Sequence, residues 1–352
     1  MWAESYNREL RDILSLQDEV AGTIAREVRV ALTPQDRARL SGARPVDPES
    51  YLLYVQGRSA LQHWTHDDLL AARQSFRRAI EKDPGYALAY AGLAESYLTG
   101  DANLNPKVGM PLARTAAAQA LALDDIVSDA HVWDWSGSEK EFKRAIELNP
   151  GDTLAHHFYS HLLLATGRNQ ESLKQSELYV QLDPLSPSAY DHLGFQYKAD
   201  QQDDLAIAAY TKARQLDPTW ESSNWYLGDA YRHKGKSQEA LAEYERSMSL
   251  DGTSTEFTRA LRTSFEKEGW KGFWTKKLNT DLERARHEYV SPYRIATYYT
   301  LLGHKENAFR YLDKAYADHD DLLTSIKSDR DFDSLHTDSR YASLLRRMRL
   351  PQ

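Results

Sequence analysis

Three histidines, His156, His157 and His161, fall within six positions of this 352-residue chain and are the side chains best suited to do chemistry. Imidazole both ligates metals and exchanges protons near neutral pH. His157 and His161 are four apart, so on a helix they share one face. Asp191 and His192 follow about 34 positions later, and two imidazoles with a carboxylate make a zinc or copper ligand set. Against this, paired histidines are common on helices, and the spacing fixes no third ligand. On that plainer reading His156 is packed in a core, and His157 and His161 are groove-lining polar groups. A metal-dependent enzyme at His156, His157 and His161 is therefore the weaker alternative, and the sequence assigns no metal ligand and no catalytic residue.

Other catalytic signatures are absent from the sequence. There is no glycine-rich nucleotide loop, no Gly-x-Ser-x-Gly elbow and no His-Glu-x-x-His pair. Gly235-Lys236-Ser237 resembles the end of a phosphate loop, but position 230, where the loop needs glycine, is alanine. With no cysteine, disulfides, thiolate nucleophiles and cysteine metal sites are excluded together. No cofactor is implied. The net charge of -8 argues against a nucleic-acid partner, which a basic face would attract. No run approaches the ~18 apolar residues of a membrane span, and Met1 to Leu10 lacks the pattern of a secretory signal, so the expected compartment is the cytoplasm.

The elements that must position these residues follow a fixed period. Pro150, Pro184 and Pro218 are 34 apart, and Gly252 stands one period further on. Each closes a pair that ends a helix: Asn149-Pro150, Asp183-Pro184, Asp217-Pro218 and Asp251-Gly252, with Asp83-Pro84 upstream. Gly167, Gly235 and Gly303 recur at 68, two periods, where a tight turn between paired helices needs φ > 0. Between these marks large and small residues alternate at helical spacing, as in Tyr190, Leu193, Gly194, Tyr197, Ala206, Tyr210 and Ala213. Ala94, Ser160, Gly194, Gly228 and Ala296 are expected at the closest helix crossings, and Arg262 falls oddly at such a position.

This pattern resembles the tetratricopeptide repeat family from about Tyr51 to Ala317, and a period of 34 is the length of its helix-turn-helix unit. The resemblance implies an all-α, right-handed superhelical solenoid of seven to eight units, whose concave groove binds a protein or peptide segment without catalysis. Its groove positions, the fifth, ninth and twelfth of each first helix, correspond to His157, His161, Asp191, Phe195, Lys198, Trp225, Asp229, Arg232, Arg259 and Tyr293. Aromatic anchors among charges suit such a partner. Family members that bind chaperone C-termini clamp the carboxylate with lysine and asparagines. Asp191, Phe195, Trp225 and Asp229 replace that clamp here.

Three segments depart from the period. In residues 1–44, Leu10, Ile13, Leu14, Val20, Ile24, Val28 and Leu32 predict a long amphipathic helix, ended at Thr33-Pro34. With Trp2 to Tyr6 and Arg11 to Val20, this stretch resembles the junction of bacterial multidomain regulators, in which a winged-helix, nucleotide cyclase or kinase domain precedes the array. That implies a detached sensory half of a transcription or signalling regulator as an alternative function. Within the array, residues 45–317, the unit at 126–150 is nine residues short, which predicts a short or irregular Ser128–Trp133 element plugged by Trp133 and Trp135. Gly100 to Pro111 reads as a lengthened turn. Residues 318–352, with Phe332, Leu335, Tyr341 and Met348, resemble the closing segment of those regulators and predict a cap over the last apolar edge.

Overall fold

The computed structural model describes residues 46–61, 66–98, 104–123 and 135–350, and among them every regular element is a helix. The predicted N-terminal helix, the Ser128–Trp133 element and the start of the Gly100–Pro111 turn lie outside the described residues. In chain order the α-helices are α1 (Pro48–Ala60), α2 (His66–Lys82), α3 (Ala87–Leu98), α4 (Pro106–Leu123), α5 (Trp135–Leu148), α6 (Thr153–Ala165), α7 (Asn169–Leu182) and α8 (Pro187–Ala199). They continue as α9 (Asp203–Leu216), α10 (Glu221–His233), α11 (Ser237–Leu250), α12 (Thr255–Arg284), α13 (Pro292–Leu301), α14 (Lys305–Asp318) and α15 (Ser339–Arg347). No described helix is long and apolar enough to cross a membrane.

Consecutive helices pair as α1 with α2, α3 with α4, α6 with α7, α8 with α9, α10 with α11 and α13 with α14, and between pairs α2 packs on α3, α7 on α8 and α9 on α10. Several first helices start where the sequence supplies a cap. Asp152 accepts from the backbone N–H groups of Leu154 and Ala155 at 3.1 and 3.0 Å, and Ser186 accepts from Ala189 at 3.2 Å, with Pro187 at the first helical position.

Within a pair, glycine lets an aromatic ring lie against the facing backbone. A Cβ at Gly194 would stand 2.7 Å from the Tyr210 ring, and one at Gly228 would stand 2.7 Å from the Tyr244 ring. Gly57 faces Phe76 in the same way, and Gly92 on the first helix of the next pair meets the same ring. Tyr210, Tyr244 and Phe76 are fully buried as a result.

The turns form a complete 34-residue ladder. Gly167, Gln201, Gly235, Gly269 and Gly303 all have positive φ, at 84, 60, 72, 61 and 79°. In the sequence only the Gln201 rung lacks a glycine. Gly269 is another rung, but its ψ of -149° sets a kink where two helices run together as α12. Arg262 is not at a crossing: it turns outward and holds Glu245 through two nitrogens, Nε at 2.7 Å. Gly272 makes the close approach in this unit, facing the Ser264 carbonyl at a distance no Cβ could occupy. Trp270, Phe273 and Trp274 then pack around Tyr244.

The lengthened turn is shorter than the sequence implies, because α4 already begins at Pro106 and runs through Pro111. At the other end, α15 packs on α14, burying Tyr341, Leu344 and Leu345, as a capping helix does. Between α14 and α15 the chain does more than cap. His319 takes the left-handed conformation, φ 56°, and turns the chain back along the first helices. Two 3₁₀ turns, Asp321–Ser325 and Arg330–Leu335, then pack against α6 and α13, with Leu323, Ile326, Phe332 and Leu335 wholly buried.

Candidate interaction groove

The first helices present two side-chain clusters. The first joins α6 to α8. His157 and His161 share a face of α6, and His192 of α8 meets both, with ring centroids 4.5 and 4.3 Å away. Candidate ligand nitrogens of the three rings lie within 4.8 Å of one another. His157 and His192 are buried, while His161 keeps partial exposure. Burial away from water holds all three below the ordinary histidine range, His161 at about 4, so the rings are neutral.

Hydrogen bonds fix His192. Its Nε2 lies at the Ser160 hydroxyl and 3.3 Å from Gln196 Nε2, while Ser172 Oγ lies 2.6 Å from the Ser160 carbonyl and 2.7 Å from Gln196 Oε1. Ser160 has one hydroxyl proton and directs it to the His157 carbonyl at 2.6 Å. His192 Nε2–H is then the donor toward Ser160, which leaves Nδ1 with a free lone pair. His156 stands apart from the cluster, with Nδ1 2.7 Å from Gln175 Oε1 and Nε2 3.1 Å from the Pro150 carbonyl. Asp191, the carboxylate that the sequence offered beside His157, instead accepts from Ser223 Oγ at 2.6 Å.

The second cluster lies where the segment after α14 packs against the first helices. Arg232 Nη2 donates to both oxygens of Asp331, at 2.7 and 2.9 Å, and His233 Nε2 stands 3.3 Å from the same carboxylate. Arg330 Nη1 reaches both oxygens of Asp203 at 2.8 and 3.0 Å. Tyr293 donates its hydroxyl to Asp329 at 2.8 Å, and its ring packs on Phe332. Lys107, at the start of α4, holds Asp318, the last residue of α14, at 2.6 Å across 211 positions.

The expected groove residues divide accordingly. Lys198, Asp229, Arg232 and Tyr293 are taken up inside the molecule: Lys198 Nζ lies 3.3 Å from Asp229, and Tyr244 donates to Asp229 at 2.6 Å. Lys198 also stands over the Tyr226 ring at 4.7 Å. Phe195 and Trp225 are half-buried, Phe195 beside Tyr226 and Trp225 against Tyr244, with Lys277 Nζ 4.8 Å over the indole. Arg259 is exposed on α12. Missed entirely were Asp329, Arg330, Asp331 and His233, which no repeat position marks.

A family model described as tetratricopeptide repeat matches residues 200–251. Over 99 residues the chain is 41% identical to a protein named "Putative adenylate cyclase 3" from Rhizobium meliloti (strain 1021). That match takes in 28% of this chain and only 17% of the relative's length. Among solved structures, a human IFIT1 dimer with PPP-AAAA is 17% identical, over 77% of this chain and 73% of that one, with a TM-score of 0.49. MamA 41-end from Desulfovibrio magneticus RS-1 is 18% identical over 60% and 99%, and Pseudomonas aeruginosa pilF is 18% identical over 68% and 91%, each with a TM-score of 0.33. Likenesses of that size say nothing of what this chain binds. The helix pairs, the glycine crossings and the 34-residue turn ladder make the described residues an all-α solenoid of helix-turn-helix repeats, and residues 200–251 of it match the tetratricopeptide repeat.

Proposed function

We propose that this chain is a non-catalytic scaffold whose concave surface binds an extended acidic segment of a protein or peptide. One observation carries the reading: the first helices already grip such a segment, their own chain's Asp329-Arg330-Asp331-Phe332, by Tyr293 and by the two-pronged contact from Arg232. Charged hydrogen bonds give register, and the buried phenylalanine supplies the apolar anchor. Other groove positions, Phe195, Trp225 and Arg259, extend the same surface.

The test uses the full chain carrying Asp331→Ala and Phe332→Ala, with circular dichroism to confirm its helical content. A fluorescein-labelled peptide of residues 326–336 is expected to bind this variant at least about tenfold more tightly than it binds the wild type, whose own segment competes. Equal binding to both, or none to the folded variant, removes the reading.

A second reading has its own observation. The 41% identity to the Rhizobium protein supports a role as the sensory half of a signalling regulator. A cyclase domain fused ahead of this chain should change its turnover at least twofold when the labelled segment is added, and an unchanged rate counts against it.

A further inference from the structure

We propose that His157, His161 and His192 form a zinc site that ties α6 to α8, a property beyond the scaffold reading. The three rings come from the first helices of adjacent units, and their candidate ligand nitrogens already lie within 4.8 Å of one another. Tetrahedral zinc with Zn–N bonds of ~2.0–2.1 Å requires nitrogens about 3.4 Å apart. Closing the widest gap takes about 1.4 Å shared between two rings, within the soft ring rotation of histidine.

The surroundings suit a ligand set. The rings are neutral as they stand, so binding needs no proton removed from them. Ser160 accepts from His192 Nε2–H and orients the ring, as outer hydrogen bonds do for zinc-bound histidines. The donors are imidazole alone, which suits a borderline-soft ion such as zinc, with water as the fourth ligand reached from the partly exposed His161 side. Asp191 is engaged with Ser223, so it is not held as a general base for bound water. The ion is therefore a staple: it fixes the angle between two units beside the place where the Asp321–Ser325 turn packs on α6.

The experiment is a zinc titration of chelator-treated full-length protein by calorimetry, with cobalt as a spectroscopic probe. One zinc per chain, a raised melting temperature and the visible absorption of a tetrahedral cobalt site are expected. His161→Gln, at the least buried ligand, should weaken zinc at least about tenfold while leaving the helical content unchanged, and Ser160→Ala should weaken it about tenfold through His192. No zinc uptake by the wild type, or equal uptake by the folded His161→Gln variant, overturns the site. Should Ser160→Ala fail to fold, His161→Gln decides alone.

Discussion

Arg232 and Asp331, 99 positions apart, face each other with Nη2 2.7 and 2.9 Å from the two carboxylate oxygens, and each side chain is only 11% exposed. An ion pair so far from water helps folding only while both partners are present. Removing one leaves the other charged and buried. Arg232→Ala or Asp331→Ala should each cost ~3–5 kcal/mol in urea denaturation, and the double variant should cost clearly less than the sum. Additive losses in that cycle would show that the pair is not coupled.

The helix crossings give a second expectation. A methyl at Gly194 would stand 2.7 Å from the ring of Tyr210, which is fully buried and cannot swing into solvent. Gly194→Ala should therefore destabilise the chain by ~1–3 kcal/mol, although alanine favours helix. A melting temperature equal to or above that of the wild type would contradict the close approach.

Gln201 tests the turn ladder. It is exposed and holds φ at 60°, positive as at the four glycines of the other rungs. A side chain in that region costs ~1–2 kcal/mol, while glycine loses ~0.5–1 kcal/mol in chain entropy. Gln201→Gly should therefore stabilise by up to about 1 kcal/mol. The check is denaturant midpoint at unchanged slope, and a lower midpoint would count against the strain.

The repeat and the segment that crosses it differ in how far they can be read from sequence. Asp-Pro stops, the crossing glycines and the alternation of Tyr190 to Ala213 are local rules, repeated at a fixed step, so the helix pairs are legible. Gln201 hid one rung because only its backbone angle, not its type, fits the turn. The two 3₁₀ turns have no periodicity to detect, and their place is set by partners such as Asp203 for Arg330, 127 positions away. For the same reason Lys198, Arg232 and Tyr293 stand at positions that the period marks, while their partners in the crossing segment do not. His192 was visible as a neighbour of His157, but only packing separates it from His156, whose ring is held by Gln175 and the Pro150 carbonyl.

The carboxylates of the crossing segment make stability depend on pH in two windows. Burial pushes Asp329 up to about 6, helped by the negative charge of Asp331 and opposed by Lys198 and the Tyr293 hydroxyl. Its folded value therefore exceeds the unfolded value of about 3.9. The stability it contributes is complete below that unfolded value and is lost as pH rises through its folded one, a change on the order of 3 kcal/mol. Asp331 moves the other way: burial would raise it, but Arg232 and His233 outweigh burial and hold it well below the usual carboxylate range. Its contribution is present above the unfolded value and disappears only in stronger acid. Asp329→Asn removes the first group, leaving an uncharged side chain that still accepts one hydrogen bond, from either Tyr293 or the Asp331 backbone N–H. Urea unfolding from pH 4 to pH 7 should show the wild type losing more stability than Asp329→Asn, with the variants converging near pH 4 apart from that one lost hydrogen bond. Parallel pH profiles would mean that Asp329 does not titrate differently on folding.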